Sequence, residues 1–333
     1  NGLQVFNAAF PLVASICVFA ALAMSISDPS GGGALTTGSF LAFNAAFGQF
    51  VSASLQLSSV VVSLLSAVPL YERAKPILET PPEVDLAKAD PGELSGTIEL
   101  SHVSFRYHSD GPLVLDDVSI HVNSGEFIAV VGPSGAGKSS VLRLLLGFET
   151  PENGSVYYDG QDLATLDVQS VRRQTGVVLQ NAQVLPGTIF ENIVGSSQLT
   201  HEDAAEAAKM AGLDQDIEQM PMGMHTVIVE GGGTLSGGQR QRLLIARAVV
   251  GRPRMLLFDE ATSALDNRTQ AHVSASLDGL HTTRVVIAHR LSTIVNADRI
   301  YVMDKGKVVQ EGTYEELMAE EGLFADLARR QLT

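Results

Sequence analysis

The chain changes its pattern part-way along. From Asn1 to Tyr71 apolar residues follow one another with a single charged side chain, Asp28, and from Glu72 onward charges recur every few positions. Two apolar segments, about Gly2 to Ser27 and about Phe40 to Val68, flank the stretch SDPSGGGALTTGS. As a helix each would reach about 40 Å at about 1.5 Å per residue, enough for a hydrocarbon core about 30 Å thick. A backbone in lipid must satisfy its own hydrogen bonds, so the pattern predicts two transmembrane helices joined by a short turn. A signal peptide would need a basic leading region and a shorter apolar run. A hairpin buried in a soluble protein is the other alternative, and it would not need so long a stretch with one charge.

Orientation follows from the basic residues. The connecting loop has none, whereas Arg73 and Lys75 follow the second segment directly. The positive-inside rule places residues from Leu70 onward on the cytoplasmic side, and Asn1 with them. Gln4, Asn7, Asn44, Gln49 and Gln56 interrupt the apolar segments. Such side chains are disfavoured against lipid and predict contact with other helices or a cavity. Two helices cannot enclose a pathway, so partner helices are expected from outside this chain.

These features divide the chain into a membrane fragment, 1–70, a cytoplasmic linker, 71–96, and a folded domain, 97–333. The start of the linker can extend the second helix, and TPPE and ADPGE then break it. After Gly96 the pattern turns to strands. TIELSHVSFRY, VLDDVSIHV and EFIAVVG alternate or run apolar with β-branched residues. Composition narrows the partners. The 333 residues suit two domains, and a net charge of −15 argues against a nucleic-acid partner held by a basic face. The one cysteine, Cys17, lies in an apolar run, so a disulfide framework or cysteine metal site is excluded.

The third strand leads straight into GPSGAGKSS, Gly132, Pro133, Ser134, Gly135, Ala136, Gly137, Lys138, Ser139 and Ser140, and then into the helical pattern VLRLLLGF. Strand, glycine loop and helix in that order are the context of a P-loop. Glycines let backbone N–H groups wrap a polyphosphate, and the helix N-terminus adds a favourable partial charge. Lys138 is placed to reach the β- and γ-phosphates of ATP, and Ser139 to offer a hydroxyl to Mg2+. Further on, the apolar strand Met255 to Phe258 ends in Asp259 and Glu260. Asp259 sits where a carboxylate would hold Mg2+, and Glu260 where it could orient or deprotonate the attacking water. The strand RVVIAHR ends at His289, within possible reach of a γ-phosphate.

With these motifs in this order, the chain resembles an ABC transporter of the exporter type, its last two transmembrane helices followed by a nucleotide-binding domain. The resemblance covers essentially the whole chain, with the motifs in order. It implies an all-α transmembrane hairpin followed by an α/β P-loop NTPase domain of the ABC type. That domain would carry an antiparallel β subdomain and an α-helical signature subdomain. LSGGQ, Leu235, Ser236, Gly237, Gly238 and Gln239, resembles the family's signature loop, which contacts ATP held by the P-loop of a second subunit. Tyr107 resembles the aromatic residue that stacks on adenine, a core tyrosine of the strand being the alternative. Gln180, ending the strand GVVLQ, resembles the glutamine that touches Mg2+ or the attacking water. Asp266 resembles the aspartate facing the partner domain, and His289 the switch histidine.

The resemblance implies an ATPase that couples hydrolysis to export as a homodimer or heterodimer in a lipid bilayer. A soluble ABC ATPase would share the ATP motifs but not the apolar hairpin. A regulator with a degenerate site would not need Lys138, Glu260, His289 and LSGGQ together. Many exporters carry a GERG-like segment before the signature, whereas this chain reads VIVEGGGT, leaving Glu230 as the available carboxylate. The stretch MPMGMHTVIVEGGGTLSGGQRQRL is similar to ATPase subunits of NHLM-type bacteriocin exporters. It implies a peptide substrate, with a lipid or amphiphile as the alternative.

Overall fold

The computed structural model describes residues 2–27, 36–80, 88–229, 233, 235–262, 264–288 and 290–332. It divides into two compact units, Asn1–Glu83 and Val84–Thr333. Residues 28–35 of the connecting stretch, Glu230 and His289 lie outside the described residues.

The first unit holds two helices, Gly2–Ser27 and Thr37–Glu79. The second starts at a cap, Thr36, whose hydroxyl accepts from the Ser39 amide at 3.3 Å. It runs past the expected end at Val68, through Pro69 and Pro76, for 43 residues. Each proline removes one intrahelical donor, yet the flanking turns hold, and Lys75 pairs with Glu79 at 3.8 Å in the added turns. The chain then meets Pro81 and Pro82, and a residue before proline is biased away from helix. Serine hydroxyls fold back onto the helix's own carbonyls, Ser54 to Phe50 and Ser63 to Ser59 at 2.8 and 2.9 Å. That leaves an apolar surface, with Phe50, Leu57, Leu64 and Leu65 exposed. Among the described residues this is the one helix long and apolar enough to cross a membrane. The first helix covers the span expected from the sequence and carries an apolar stretch, Ala9–Ala21, among its described residues.

The second unit is α/β. Its main sheet has six strands: β3 (Phe127–Val131), β6 (Thr175–Val178), β9 (Met255–Asp259), β10 (Thr283–Ile287), β11 (Arg299–Asp304) and β12 (Lys307–Gly312). They stand in the order β12-β11-β3-β10-β9-β6, all parallel except β12. β3 and β9 are buried along their whole length, which is why they read as unbroken apolar runs. A second, antiparallel sheet has the order β2-β1-β4-β5, from β1 (Ile98–Phe105), β2 (Leu115–Val122), β4 (Asn153–Tyr158) and β5 (Gln161–Asp162). The short pair β7 (Gly187–Thr188) and β8 (Val227–Ile228) borders a helical subdomain. There Ala204, Ala207 and Ala208 are buried in one cluster with Leu243, Ile245 and Ala246. A second core cluster fills the space between the main sheet, the antiparallel sheet and the helix Lys138–Leu145.

Two local features differ from the sequence expectation. Residues 88–96, expected in the linker, dock on this unit. Leu94 is buried, its amide donating to Gln174 Oε1 at 2.8 Å, while Gln174 Nε2 donates to the Gly92 carbonyl at 2.7 Å. The strand expected to end at Gln180 stops at Val178. A turn follows, closed by Ala182 N–H to the Leu179 carbonyl at 3.0 Å, so Gln180 lies on a loop.

Candidate nucleotide site

The main sheet brings the motifs to one edge. β3, β10, β9 and β6 are parallel neighbours, so their C-terminal ends open on the same side, where ligands bind in such sheets. β3 runs into the P-loop, β9 into Glu260 and β6 into the Gln180 loop.

Two glycines show why the P-loop needs them. Gly132 has φ +149°, and a Cβ there would sit 2.1 Å from the Met303 carbonyl oxygen. Gly137 has φ +100°, with Leu115 Cδ2 only 2.6 Å from where its Cβ would be. Gly137 is also the N-cap of the helix Lys138–Leu145 and offers no side-chain oxygen to it. Ser140 N–H is taken by the Gly137 carbonyl at 3.0 Å, whereas no Gly137 side chain occupies the N–H groups of Lys138 and Ser139, an arrangement that suits an anion. Lys138 is 6 % exposed, and its Nζ donates to the Gly132 and Pro133 carbonyls, both at 2.9 Å. Burial holds its pKa below the usual lysine value, opposed by the charges of Glu260 and Asp259.

A cleft of about 210 Å³ is lined by Ser134, Gly135, Lys138, Ser139, Gln180 and Glu260, among others. Across it Gln180 Nε2 donates to Glu260 Oε1 at 3.1 Å. Asp259, one residue earlier, closes β9 and is buried. At the side of the P-loop helix, the Tyr107 hydroxyl lies 2.9 Å from Ser140 Oγ, and its ring packs edge-on to Phe105 at 4.8 Å. The residue stays 46 % exposed. Tyr107 is thus anchored at both ends of its side chain, and a substantial part of it remains open to solvent.

The signature residues stand apart from this cleft. None of Leu235 to Gln239, nor Asp266, lines it among the described residues. Leu235 is buried in the helical subdomain. Ser236 caps the helix Gly237–Val249 by a reciprocal box: Gln239 N–H donates to Ser236 Oγ at 3.2 Å, and Ser236 N–H to Gln239 Oε1 at 2.9 Å. The cap uses a lone pair of Ser236 and leaves its O–H proton to donate elsewhere. Asp266 caps the helix Asn267–Asp278, accepting from the amides of Arg268 and Thr269 at 3.0 Å each. The Thr269 hydroxyl, then the Thr269 amide, hold its carboxyl below the usual range.

Two residues passed over in the sequence take part. Asp216 receives Gln239 Nε2 at 2.8 Å on one oxygen and an Arg242 guanidinium at 2.7 Å on the other. Gln241 donates from Nε2 to the Glu260 carbonyl at 3.3 Å and accepts the Ala264 amide at 2.8 Å. Neither partner is near in sequence, so no linear pattern marks these two.

Residues 115–263 match the family model for the ABC transporter. The matched stretch is an ABC transporter domain and lies within the second unit. The leukotoxin export ATP-binding protein LtxB of Aggregatibacter actinomycetemcomitans is 40% identical over 304 residues, 90% of this chain. The alpha-hemolysin translocation ATP-binding protein HlyB of Escherichia coli is 40% identical over 303 residues, again 90% of this chain. The chain spans 43% of the length of each. A solved bacterial Atm1-family ABC exporter with ATP bound superimposes with a TM-score of 0.79 at 33% identity, covering 100% of this chain and 59% of that one.

Proposed function

We propose that this chain is the C-terminal part of an exporter subunit that hydrolyses ATP to move a polypeptide across a bilayer. The observation that carries this reading is the Gln180–Glu260 hydrogen bond across the mouth of the P-loop cleft. In this reading the pair receives the attacking water, a carboxylate and an amide being the groups that bind and activate one. Similarity to an exporter with ATP bound and to two toxin export ATP-binding proteins supports the same reading.

In this account the exposed side of Tyr107 stacks on adenine, and the loop from Gly132 to Gly137 wraps the phosphates with backbone N–H groups. Lys138 leaves its two carbonyls for the β- and γ-phosphates, exchanging neutral acceptors for charged ones. Ser139, Gln180 and Asp259 form a hard-oxygen donor set that fits Mg2+, which prefers few protein ligands beside phosphate oxygens. Mg2+ bound there would neutralise charge on the transferred phosphoryl group. Glu260 orients and deprotonates the water, and His289 contacts the γ-phosphate. The signature loop, standing away from its own cleft, serves the ATP of a second subunit through Ser236 and the helix N-terminus behind it. Asp266 faces that same partner.

Apolar helix surfaces such as that around Leu64 are covered by lipid and by further helices of the assembly. The cargo is a polypeptide, in the range from a bacteriocin-like peptide to a larger secreted protein. The decisive experiment reconstitutes the full-length protein and compares it with Glu260→Gln. The wild type is expected to hydrolyse ATP and accumulate a polypeptide in inverted vesicles. Glu260→Gln is expected to lose turnover by about 100- to 10,000-fold while still dimerising with ATP. Hydrolysis at the wild-type rate in Glu260→Gln contradicts the assignment, and uptake of lipid analogues in place of peptide moves the cargo to amphiphiles.

A further inference from the structure

One side chain tethers the segment carrying Glu260 to the signature helix. Gln241 lies five residues after Ser236, and its amide is bound on both ends, to the Glu260 carbonyl and to the Ala264 N–H. Glu260 needs such a clamp, because its φ is +54°. A non-glycine residue in that region costs about 1–3 kcal/mol and persists only where its surroundings over-determine it. Contacts among the described residues do so. The Glu260 N–H donates to the Ile287 carbonyl at 3.0 Å, its carboxylate accepts from Gln180, and its carbonyl accepts from Gln241. The Gln241 contact comes from the signature helix. At the start of that helix the Ser236 cap and the Asp216 contacts fix the signature loop. Over five residues the helix rises about 7.5 Å, too short a length to absorb a displacement by bending.

We propose that Gln241 is a positioning residue that ties Glu260 of one ATP site to the signature loop serving the other. This rests on the composite-site reading above. When the partner's nucleotide engages Ser236 to Gln239, the signature helix is held, and through Gln241 it holds the strained backbone of Glu260 in register. ATP binding in the same cleft uses other residues, so the amide acts on turnover and not on affinity. Gln241 is not the segment's sole support. Arg290 donates to the Leu265 carbonyl at 2.8 Å, and Asp266 caps the next helix.

The test measures ATP hydrolysis, ATP binding and thermal midpoint for the full-length reconstituted protein carrying Gln241→Ala or Gln241→Glu. The glutamate keeps an acceptor for Ala264 N–H and loses the donor to Glu260. Both variants are expected to lose kcat by about 10- to 100-fold, the cost of a small misplacement of a reacting group. Their KM for ATP and thermal midpoint are expected to match the wild type. A kcat at the wild-type level in Gln241→Ala overturns the proposal. So does full activity in Gln241→Glu, which would place the effect at Ala264 alone, or a lower midpoint with ATP binding lost, the mark of a structural role. If Gln241→Ala does not fold, Gln241→Met, similar in length and volume, replaces it in the same comparison. Glu260→Gln is run in parallel. Its continued turnover sinks the functional reading and this proposal together, whereas its inactivity beside a fully active Gln241→Ala sinks the proposal alone.

Discussion

Two glycine-rich loops, GPSGAGKSS and LSGGQ, have similar compositions and use glycine for different physical reasons. In the P-loop, Gly132, Gly135 and Gly137 have φ of +149°, +80° and +100°. These glycines are there for backbone conformation, and at Gly132 and Gly137 for close approach as well. In the signature, Gly237 and Gly238 are the first two residues of a right-handed helix. Substituted Cβ atoms would meet nothing closer than 4.0 Å at Gly237 and 3.4 Å at Gly238. Small side chains there keep a helix N-terminus open to an approaching surface. The P-loop helix is capped by a glycine with nothing to offer, the signature helix by a serine whose proton remains to donate. The first arrangement suits a loop that wraps an anion, the second an open helix N-terminus that meets one held elsewhere.

The lysine is the sharpest difference between them. Lys138→Ala is expected to weaken ATP binding by about 10- to 100-fold, the worth of a charge-assisted hydrogen bond. Gly238→Asp, which adds a carboxylate at the signature, is expected to leave ATP binding to the P-loop within about twofold and to stop hydrolysis, because the charge repels the partner's phosphate. Equilibrium titration with a fluorescent ATP analogue, beside a hydrolysis assay, checks both. Equal loss of binding in the two variants would merge the loops into one site.

The glycine roles separate at the level of stability. Gly132→Ala is expected to cost about 1–3 kcal/mol, since both the φ and the Met303 carbonyl oppose a Cβ. Gly238→Ala is expected to change stability by less than about 1 kcal/mol, alanine being the better helix former. Denaturant unfolding of the two variants measures the difference.

The smallest effect concerns the caps. The Ser236–Gln239 box does not titrate, whereas the Asp266 carboxyl is held below its usual range by Thr269 and the first-turn amides. A depressed acid contributes stability above its unfolded pKa, about 3.8, and loses that contribution as pH falls through the lower folded value. Thermal melts between pH 7 and pH 3 are expected to show a smaller acid-induced loss in Asp266→Asn than in the wild type. Ser236→Ala is expected to leave the loss unchanged. An identical acid slope in Asp266→Asn would remove the carboxylate from the account.

Legibility in the sequence followed chain distance. The P-loop was readable because strand, loop and helix are consecutive and each glycine sits inside the motif. Asp259 and Glu260 were readable as the end of an apolar strand. That Gln180 and Glu260 meet was implied by family likeness, since they are 80 residues apart. The docking of residues 88–96 was not readable, because its anchor, Gln174, lies 80 residues beyond Leu94. Gln241 and Asp216 were hidden for the same reason, being ordinary polar residues until the fold brings their partners to them. The second helix continues beyond Val68 into the start of the linker, an extension the sequence allows, and ends at Glu79, just before Pro81 and Pro82.

The central claim is that each ATP site takes its P-loop from one chain and its signature loop from another. It is tested by mixing two inactive full-length chains, one carrying Lys138→Ala and the other Gly238→Asp, so that they form dimers. In the mixed dimer one site has the intact P-loop of the second chain and the intact signature of the first. Random pairing in equal amounts is expected to restore ATP hydrolysis above that of either inactive chain, with a ceiling of about a quarter of the wild-type rate set by the half of dimers that hold one complete site, and below that ceiling to the extent that Gln241 couples the two sites. Hydrolysis no higher than that of either inactive chain alone would contradict the account.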